Sequence, residues 1–378
     1  MTPAVTVDGD VVAVHSYWTD DHSQIMTDAT VRTAEGDVVV TEPGGSVDGV
    51  GSVSYPGPVL LVTGMTVAVA GYHELDAAQQ DHVVLESVKV LAYPPDYVRT
   101  TSVKTGHPIY WESGCVFMTV DSAGTTAIAG DGEFPIIDAA ISEWNTKTAS
   151  CSYIKLMNDG RKAAEVGSDG INLIKFRDTV WPHPEAQAAA AITTARFIDD
   201  ANSSRNGAIL DADIELNGVN FNIATGCNGS PATCQSLHTT GQSGFAELQN
   251  TLTHELGHVL GLEHPCLAQG DPQRVDNLGN AVPNCSFGSD PPRIADVTMY
   301  NFQTPGEIKK ESLAADDILG VCDIYPTAKT PQTCDHASPS SGSGGCCSAS
   351  GPRPDVSFLL AGTTLLIVLR RRRTSRTA

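Results

Sequence analysis

The sequence predicts an α+β protein in which a small all-β domain, a sandwich or a barrel, precedes a larger mixed domain. Residues 1–97 contain short segments rich in Val, Ile, Thr and Tyr, separated by glycine-containing breaks, a pattern typical of strands and turns. From residue 107 onward, segments with helical spacing alternate with strand-like segments. These two patterns define the predicted fold class.

The mixed domain is expected to span residues 107–327, after a linker at 98–106. Its first helix is predicted in "EFPIIDAAISEWN", where Pro135 lies in the first turn and the apolar residues have helical spacing. A second helix is predicted in "GFAELQNTLTHELGHVL", and a last helix is expected to begin with Ser312 as its N-cap. Strands are predicted in "IYWESGCVFMTVD", "CSYIKLMN", "INLIKFRD" and "AILDADIELNGV".

The chain has 378 residues and a formal net charge of −21. So acidic a chain repels nucleic acid and anionic lipid, which excludes both as expected partners. Acidic residues can also supply calcium ligands. Asp211 and Asp213 are therefore either a structural Ca²⁺ site or solvated carboxylates at a strand edge.

All ten cysteines lie at or after Cys115. Their even number and short spacings predict disulfides and an oxidising compartment. We expect the pairs 115–151, 227–234, 266–285 and 322–334, although spacing alone does not determine connectivity. The start of the chain lacks a basic patch followed by an apolar core, so no signal peptide is visible there. We therefore expect that the true start lies elsewhere or that export uses another route.

A Ser/Gly/Pro-rich spacer is predicted at 328–355, followed by a tail at 356–378. The tail has fourteen mostly apolar residues and then four arginines, Arg370 to Arg373. Fourteen residues are short for a bilayer, which needs about 20, and the basic block marks a cytoplasmic side. The segment is thus either a permanent short anchor or part of a sorting signal.

The stretch "HELGHVLGLEH" places three histidines and a glutamate around one helix end. His254 and His258 are four residues apart, so both project from one helical face. Gly261 can adopt positive φ and end the helix, which brings His264 back to the same point. Three nitrogen ligands with an open fourth position predict a catalytic zinc site.

Glu255 lies beside these ligands and is not one of them. Zinc lowers the pKa of a bound water to near 7 and polarises a carbonyl, so Glu255 would accept the proton of that water and pass it to a leaving amine. This chemistry predicts hydrolysis of an amide bond.

The motif resembles that of the metzincin metallopeptidases, and its L-G-H-x-L-G-L-x-H portion is most similar to the matrixin branch. The resemblance covers residues 107–327 and implies three zinc ligands, a glutamate base and a methionine turn, for which "DVTMYNF" offers Met299. It also implies a twisted sheet over the active helix and protein or peptide substrates that pair with an edge strand, expected at "AILDADIELNG".

The sequence departs from the matrixin pattern at several points. Pro265 follows His264 where matrixins usually have serine, and thirty-four residues separate His264 from Met299. The chain has no P-R-C-G latency motif, and residues 1–97 do not resemble a matrixin propeptide. The wall beside the third histidine and the latency mechanism are therefore expected to differ.

The adjacent Cys346 and Cys347, the short apolar segment and the arginine block resemble a MYXO-CTERM-type sorting signal. The resemblance implies transient membrane association, envelope sorting and processing machinery as a partner, and a final location on the bacterial surface or outside the cell. The sequence as a whole thus predicts an exported zinc endopeptidase. A surface adhesion or binding protein with a peptidase-like fold, and a processing enzyme for a single partner, are the alternatives.

Overall fold

The computed structural model describes residues 4–47, 50–53, 61, 64–75, 81–92, 96–239, 241, 243–329, 331, 334, 356–360 and 366–367. The chain divides into two compact units: Met1–Asp96 with Leu267–Cys285, and Tyr97–Cys266 with Ser286–Ala378. Several sheets and few helices confirm the α+β class. Within the described ranges, no helix combines the length and the apolar character needed to cross a membrane.

The first unit contains a closed five-stranded barrel, one of the two architectures expected for it. Its strands are β1 (Ala4–Trp18), β2 (Ile25–Thr33), β3 (Gly36–Pro43), β6 (Thr66–Leu75) and β7 (Asp81–Ala92), and a short hairpin is formed by β4 (Gly45–Val47) and β5 (Val50–Val53). The barrel order is β1-β2-β3-β7-β6, with β3 and β7 parallel and all other neighbours antiparallel. Every second residue of β2 faces an aliphatic core.

The second unit is built on a six-stranded sheet. Its strands are β9 (Cys115–Asp121), β10 (Lys155–Lys162), β11 (Asn172–Phe176), β12 (Ala191–Ile198), β13 (Ile209–Leu216) and β18 (Val356–Leu360). The order is β10-β9-β11-β13-β12-β18, and the first four strands are parallel to one another. β12 and β18 are each antiparallel to the preceding strand in this order.

The predicted edge strand is not at an edge. β13, the strand of "AILDADIELNG", lies between β11 and β12. β12 contains no obvious strand signal because it continues an alanine-rich stretch, yet all eight of its residues are buried. The prediction was wrong because strand order depends on long-range pairing, which local composition does not encode.

Four α-helices accompany the described sheet: α1 (Glu133–Lys147), α2 (Leu248–Val259), α3 (Pro292–Ala295) and α4 (Ala315–Ile324). Three 3-10 turns lie at Pro184–Ala186, Lys309–Glu311 and Thr327–Lys329. α1 packs against α2, and the Trp144 indole N–H donates to the carbonyl of Thr253 at 2.9 Å. The last helix begins after Ala314, so the prediction of Ser312 as its N-cap was wrong. The side chain of Asp317 instead accepts a hydrogen bond from the Ala314 N–H.

Residues 98–106, expected to be a linker, belong to the second unit. β8 (Val98–Arg99) pairs antiparallel with β16 (Leu262–Glu263), directly after the end of α2. Two further short pairs are β14 (Asn222–Ala224) with β15 (Phe245–Glu247), and β17 (Phe302–Gln303) with β19 (Leu366–Ile367). The segment therefore supports the end of the histidine helix, a role that its polar composition concealed.

Two disulfides join distant parts of the second unit. Cys115 pairs with Cys334 and Cys151 with Cys322, so the predicted pairs 115–151 and 322–334 were wrong. The short-loop pair Cys227–Cys234 is confirmed, and Cys266 and Cys285 are also disulfide-bonded. Spacing identifies a bond across a short loop, but bonds across a fold depend on which strands become neighbours. These disulfides indicate an exported or extracellular protein.

Glu42 is a carboxyl group inside the barrel and is 2% exposed. Its Oε1 atom accepts the N–H of Leu61 at 2.5 Å. Burial, opposed in part by this hydrogen bond, raises the pKa of Glu42 to about 7. In the unfolded chain the pKa is near 4.5, so between these two values the folded state binds more protons.

The barrel should therefore lose stability as the pH rises from 5 to 8. The loss from Glu42 is on the order of 2–3 kcal/mol, and Glu42→Gln should remove it because a neutral amide keeps the hydrogen bond. Hydrogen exchange of the barrel amides, corrected for the intrinsic effect of pH, measures this change. The exposed Glu35→Gln serves as the control and should leave the pH dependence in place. An unchanged slope in Glu42→Gln would contradict the assignment.

Candidate metal centre

The local sequence places the histidines on α2 and on the turn after it. The Glu247 side chain caps the helix start by accepting the Asn250 N–H at 2.6 Å. The helix ends at Val259 with Leu260 as its C-cap, and the next residue, Gly261, has a φ of +91°, a conformation that favours glycine. The Gly261 carbonyl accepts the N–H of Thr100, and β16 then carries the chain to His264. The predicted turn is thus formed at the predicted residue.

The three-histidine cluster (His254, His258 and His264) is buried, with no member more than 2% exposed. The Nε2 atom of His254 lies 3.2 Å from that of His258 and 3.3 Å from that of His264. Two nitrogens bound tetrahedrally to one zinc ion at about 2.05 Å would lie roughly 3.3 Å apart. The imidazoles therefore have the mutual spacing that one ion requires.

Backbone carbonyls determine which nitrogen of each helical histidine carries the proton. The Nδ1 of His254 is 2.7 Å from the Thr298 carbonyl, and the Nδ1 of His258 is 2.8 Å from the Leu262 carbonyl. A carbonyl only accepts, so both Nδ1 atoms carry the hydrogen and both Nε2 atoms present lone pairs. Burial, more than any other factor, lowers the pKa of His254 well below its usual value, so this ring is neutral.

Two lone pairs that face each other at 3.2 Å repel and cannot form a hydrogen bond. A shared cation converts that repulsion into ligation. Within the part of the chain that the structure describes, these three histidines are the group of His, Cys, Asp and Glu residues that can hold a metal ion. The side chains thus fit a metal ion bound through three imidazole nitrogens.

Glu255 is fully buried beside this cluster. Its Oε2 accepts the hydroxyl of Thr193 on β12 at 2.6 Å, whereas Oε1 has no hydrogen-bond partner among the described residues. Burial raises the pKa of Glu255 to about 8, while the Thr193 hydroxyl opposes this shift. A cation at the neighbouring imidazoles would stabilise the ionised form, so the carboxylate and the metal support each other.

Met299 lies directly beneath the helix. A Cβ atom at Gly257, which lies between the two helical histidines, would clash with the Met299 sulfur and lie 3.1 Å from its Cε and from the Trp144 ring. The preceding residue, Thr298, supplies the carbonyl that orients His254. The segment expected to form a methionine turn therefore contacts the site through both packing and a hydrogen bond.

Sequence reasoning missed two polar residues that hold these parts together. Thr193 lies in the unrecognised strand β12 and contacts Glu255. Lys310 is fully buried, and its ammonium group donates to the carbonyls of Tyr300 at 2.6 Å and Phe302 at 2.9 Å. Burial lowers the pKa of Lys310 to about 7. In the sequence, "EIKKESL" has the composition of a solvated surface turn, so no signal distinguished it.

Asp211 and Asp213 are not solvated carboxylates at a strand edge, because both are buried on the interior strand β13. Asp211 accepts the Gly170 N–H at 2.8 Å, and Asp213 accepts the Leu173 N–H at 3.0 Å. The Arg196 guanidinium lies 2.9 Å from Asp211 and 3.4 Å from Asp213. Hydrogen-bond donors and a cationic side chain occupy the positions that calcium would need, so the two carboxylates serve an ionic network instead.

Comparison with known proteins adds no relatives. No protein-family model matches the chain, and no curated protein has a matching sequence.

Gly257→Ala should weaken metal binding by roughly 10- to 100-fold, because its methyl group displaces Met299 and the turn that orients His254. Competition with a chromophoric chelator measures the affinity. Gly167→Ala is the matched control, since its added Cβ would meet only the Glu165 carbonyl oxygen at 3.7 Å. If both variants bind metal as the wild type does, Met299 has no supporting role.

Proposed function

We propose that the protein is a zinc-dependent endopeptidase that hydrolyses peptide bonds in protein substrates. The observation that carries this proposal is the convergence of three buried Nε2 atoms beside a buried glutamate, one of whose oxygens has no hydrogen-bond partner among the described residues. Three neutral imidazoles are a donor set typical of catalytic zinc, because they leave a fourth position open.

A bound zinc ion would supply Lewis-acid activation of water and of a peptide carbonyl. His254, His258 and His264 would hold the ion, and the carbonyls of Thr298 and Leu262 fix the orientation of the first two rings. Oε1 of Glu255 would accept a proton from the activated water, and Glu255 would then pass that proton to the leaving amine. Thr193 would hold the other carboxylate oxygen and so fix the direction of Oε1.

A metzincin-like, matrixin-like fold is part of the proposal. It is supported by a parallel sheet with one antiparallel strand beside α2, by the glycine turn and by Met299 beneath the helix. We propose that substrate pairs with β12 rather than with β13. In this structure β18 pairs with Thr194–Ile198, so an extended substrate would have to replace it there.

We also propose that the enzyme acts on the bacterial surface or outside the cell, which agrees with its disulfides. Most of the predicted spacer and sorting tail lies outside the described residues. The described parts are residues 328, 329, 331 and 334 and the backbone of β18 and β19. The spacer and the tail remain predictions, as do the transient membrane association and the processing machinery.

A surface binding protein that uses this fold without turnover is the second candidate. Such a protein has no need for a fully buried carboxyl group in which one oxygen lacks a hydrogen-bond partner within the described part of the chain, because burying such an oxygen is costly. Incubation with a peptide library, with and without a chelator, distinguishes the two. Chelator-sensitive cleavage, read by mass spectrometry, supports the enzyme, and a library left intact by the metal-loaded protein rejects it.

Glu255→Gln should retain metal but lower kcat by at least roughly 100-fold, because the amide cannot accept the proton. Metal content and cleavage of a library-derived peptide are measured on the same preparation. The exposed Glu185→Gln is the control and should behave as wild type. Full turnover by the Glu255 variant would end the proposed mechanism.

Thr193→Val should lower kcat by about tenfold with little change in KM, since the loss of one hydrogen bond to a charged group frees the carboxylate to rotate. Thr193→Ser keeps the hydroxyl and should restore most of the rate. Thr194→Val is the control variant, because Thr194 lies on the opposite face of the same strand from Thr193. Equal rates for the Val and Ser variants would show that the hydroxyl does not position Glu255.

A further inference from the structure

A groove of about 220 Å³ lies on the outer surface of the barrel. It crosses β1, β2 and β3 and reaches the start of β7. Its polar and aromatic lining comprises His15, Tyr17, Asp28, Thr30, Thr41 and Asp81, among others. Nothing in the proposed peptidase chemistry uses these residues.

The register of the strands builds the groove. His15 is paired with Asp28, which is in turn paired with Thr41, so the three side chains form one row across three strands. The adjacent row consists of Ala13, Thr30 and Val39, which are smaller or uncharged. The first row therefore gives the groove a polar side, and the second row gives it a largely apolar surface.

Asp28 is held in one orientation by its neighbours. The Thr41 hydroxyl donates to Oδ1 at 2.6 Å, and the Tyr17 hydroxyl donates to the same oxygen at 3.3 Å. Asp28 lines the groove, and its other oxygen, Oδ2, accepts no hydrogen bond from any described residue. A fixed carboxylate with a spare oxygen is prepared to accept a charged donor.

Flat rings form another part of the wall. His15 and Tyr17 are stacked, with ring centroids 5.9 Å apart and an angle of 19° between the planes. Both line the groove. Parallel rings beside a carboxylate offer a planar cation a face to stack on and an anion to bond.

The charge of the lining and of the barrel favours a cation. The described residues that line the groove include two carboxylates (Asp28 and Asp81), two histidines (His15 and His82) and no Lys or Arg. Asp81 is already paired with His73 at 2.9 Å, so the carboxylate that remains for a ligand is that of Asp28. Residues 1–96 contain fourteen Asp and Glu but only two basic residues, Arg32 and Lys89. Arg32 is already paired with Asp37 at 3.0 Å. Phosphate, sulfate and acidic peptides are repelled from such a surface.

We propose that the groove binds an arginine side chain presented by a polypeptide segment. The guanidinium is planar, stacks on aromatic rings and donates several N–H groups in one plane, and its stem is aliphatic. It would stack on the Tyr17 ring, donate to Oδ2 of Asp28 and lay its methylenes along Ala13 and Val39. A lysine ammonium lacks both the plane and the parallel donors.

The test is a calorimetric titration in which N-acetyl-arginine amide is added to the full chain. Because this ligand offers only one side chain, it should bind the groove with a dissociation constant on the order of 1 mM. The same titration with N-acetyl-citrulline amide, which has the same shape without the charge, should be about tenfold weaker or more. N-acetyl-lysine amide should also bind more weakly than arginine.

The variants locate the site. Asp28→Asn should weaken arginine binding by about tenfold, because the amide keeps the contacts with Tyr17 and Thr41 but loses the charge. Tyr17→Leu should weaken it severalfold by removing the ring. Asp8→Asn is the matched control, since Asp8 is exposed on β1 of the same barrel and does not line the groove.

Three outcomes would overturn the proposal. They are the absence of saturable arginine binding at 10-fold the expected dissociation constant, equal affinity for the citrulline derivative, or equal loss in the Asp8 and Asp28 variants. The ligand comparison uses the unaltered chain, so it decides the question even if a variant fails to fold. Neither test involves the three-histidine cluster, and the result is therefore independent of the proposed function.

Discussion

The convergence of unprotonated imidazole nitrogens on one point is the constraint on which the rest of the second unit depends. The carbonyls of Thr298 and Leu262 fix the protons on the outer nitrogens of His254 and His258, so the inner lone pairs face each other. This arrangement is unfavourable without a cation and favourable with one. The elements around it can be understood as supports: the glycine turn delivers His264, and the Met299 segment delivers the Thr298 carbonyl.

Burial of charged groups is the main energetic cost of this design. Glu255 and Lys310 are both fully buried. Burial raises the pKa of Glu255 and lowers the pKa of Lys310, so it favours the neutral form of each group. Lys310 is stabilised by two carbonyls of the turn after Met299, and Glu255 by the Thr193 hydroxyl. These contacts join the turn and β12 to the three-histidine cluster and Glu255, so a substitution distant from the cluster can still change its geometry.

The barrel shows a different use of charge. On its outer surface, the pairing of β1 with β2 and of β2 with β3 places unlike side chains in rows that cross the three strands. Asp28 is oriented by two hydroxyls, and the acidic composition that argues against nucleic acid favours a cationic partner. The proposed arginine groove and the proposed metal centre therefore lie in different units and use different residues.

The sequence alone determined what depends on neighbours a few positions away. The four-residue spacing of His254 and His258 follows from the helical repeat, Gly261 from the need for positive φ, and Cys227–Cys234 from a short loop. Only the tertiary structure decided the position of β12, the contact of Thr193 with Glu255, the burial of Lys310 and the long disulfides. These features join residues tens to hundreds of positions apart. Strand order and packing determine such pairs, and the local periodicity of the sequence does not identify them.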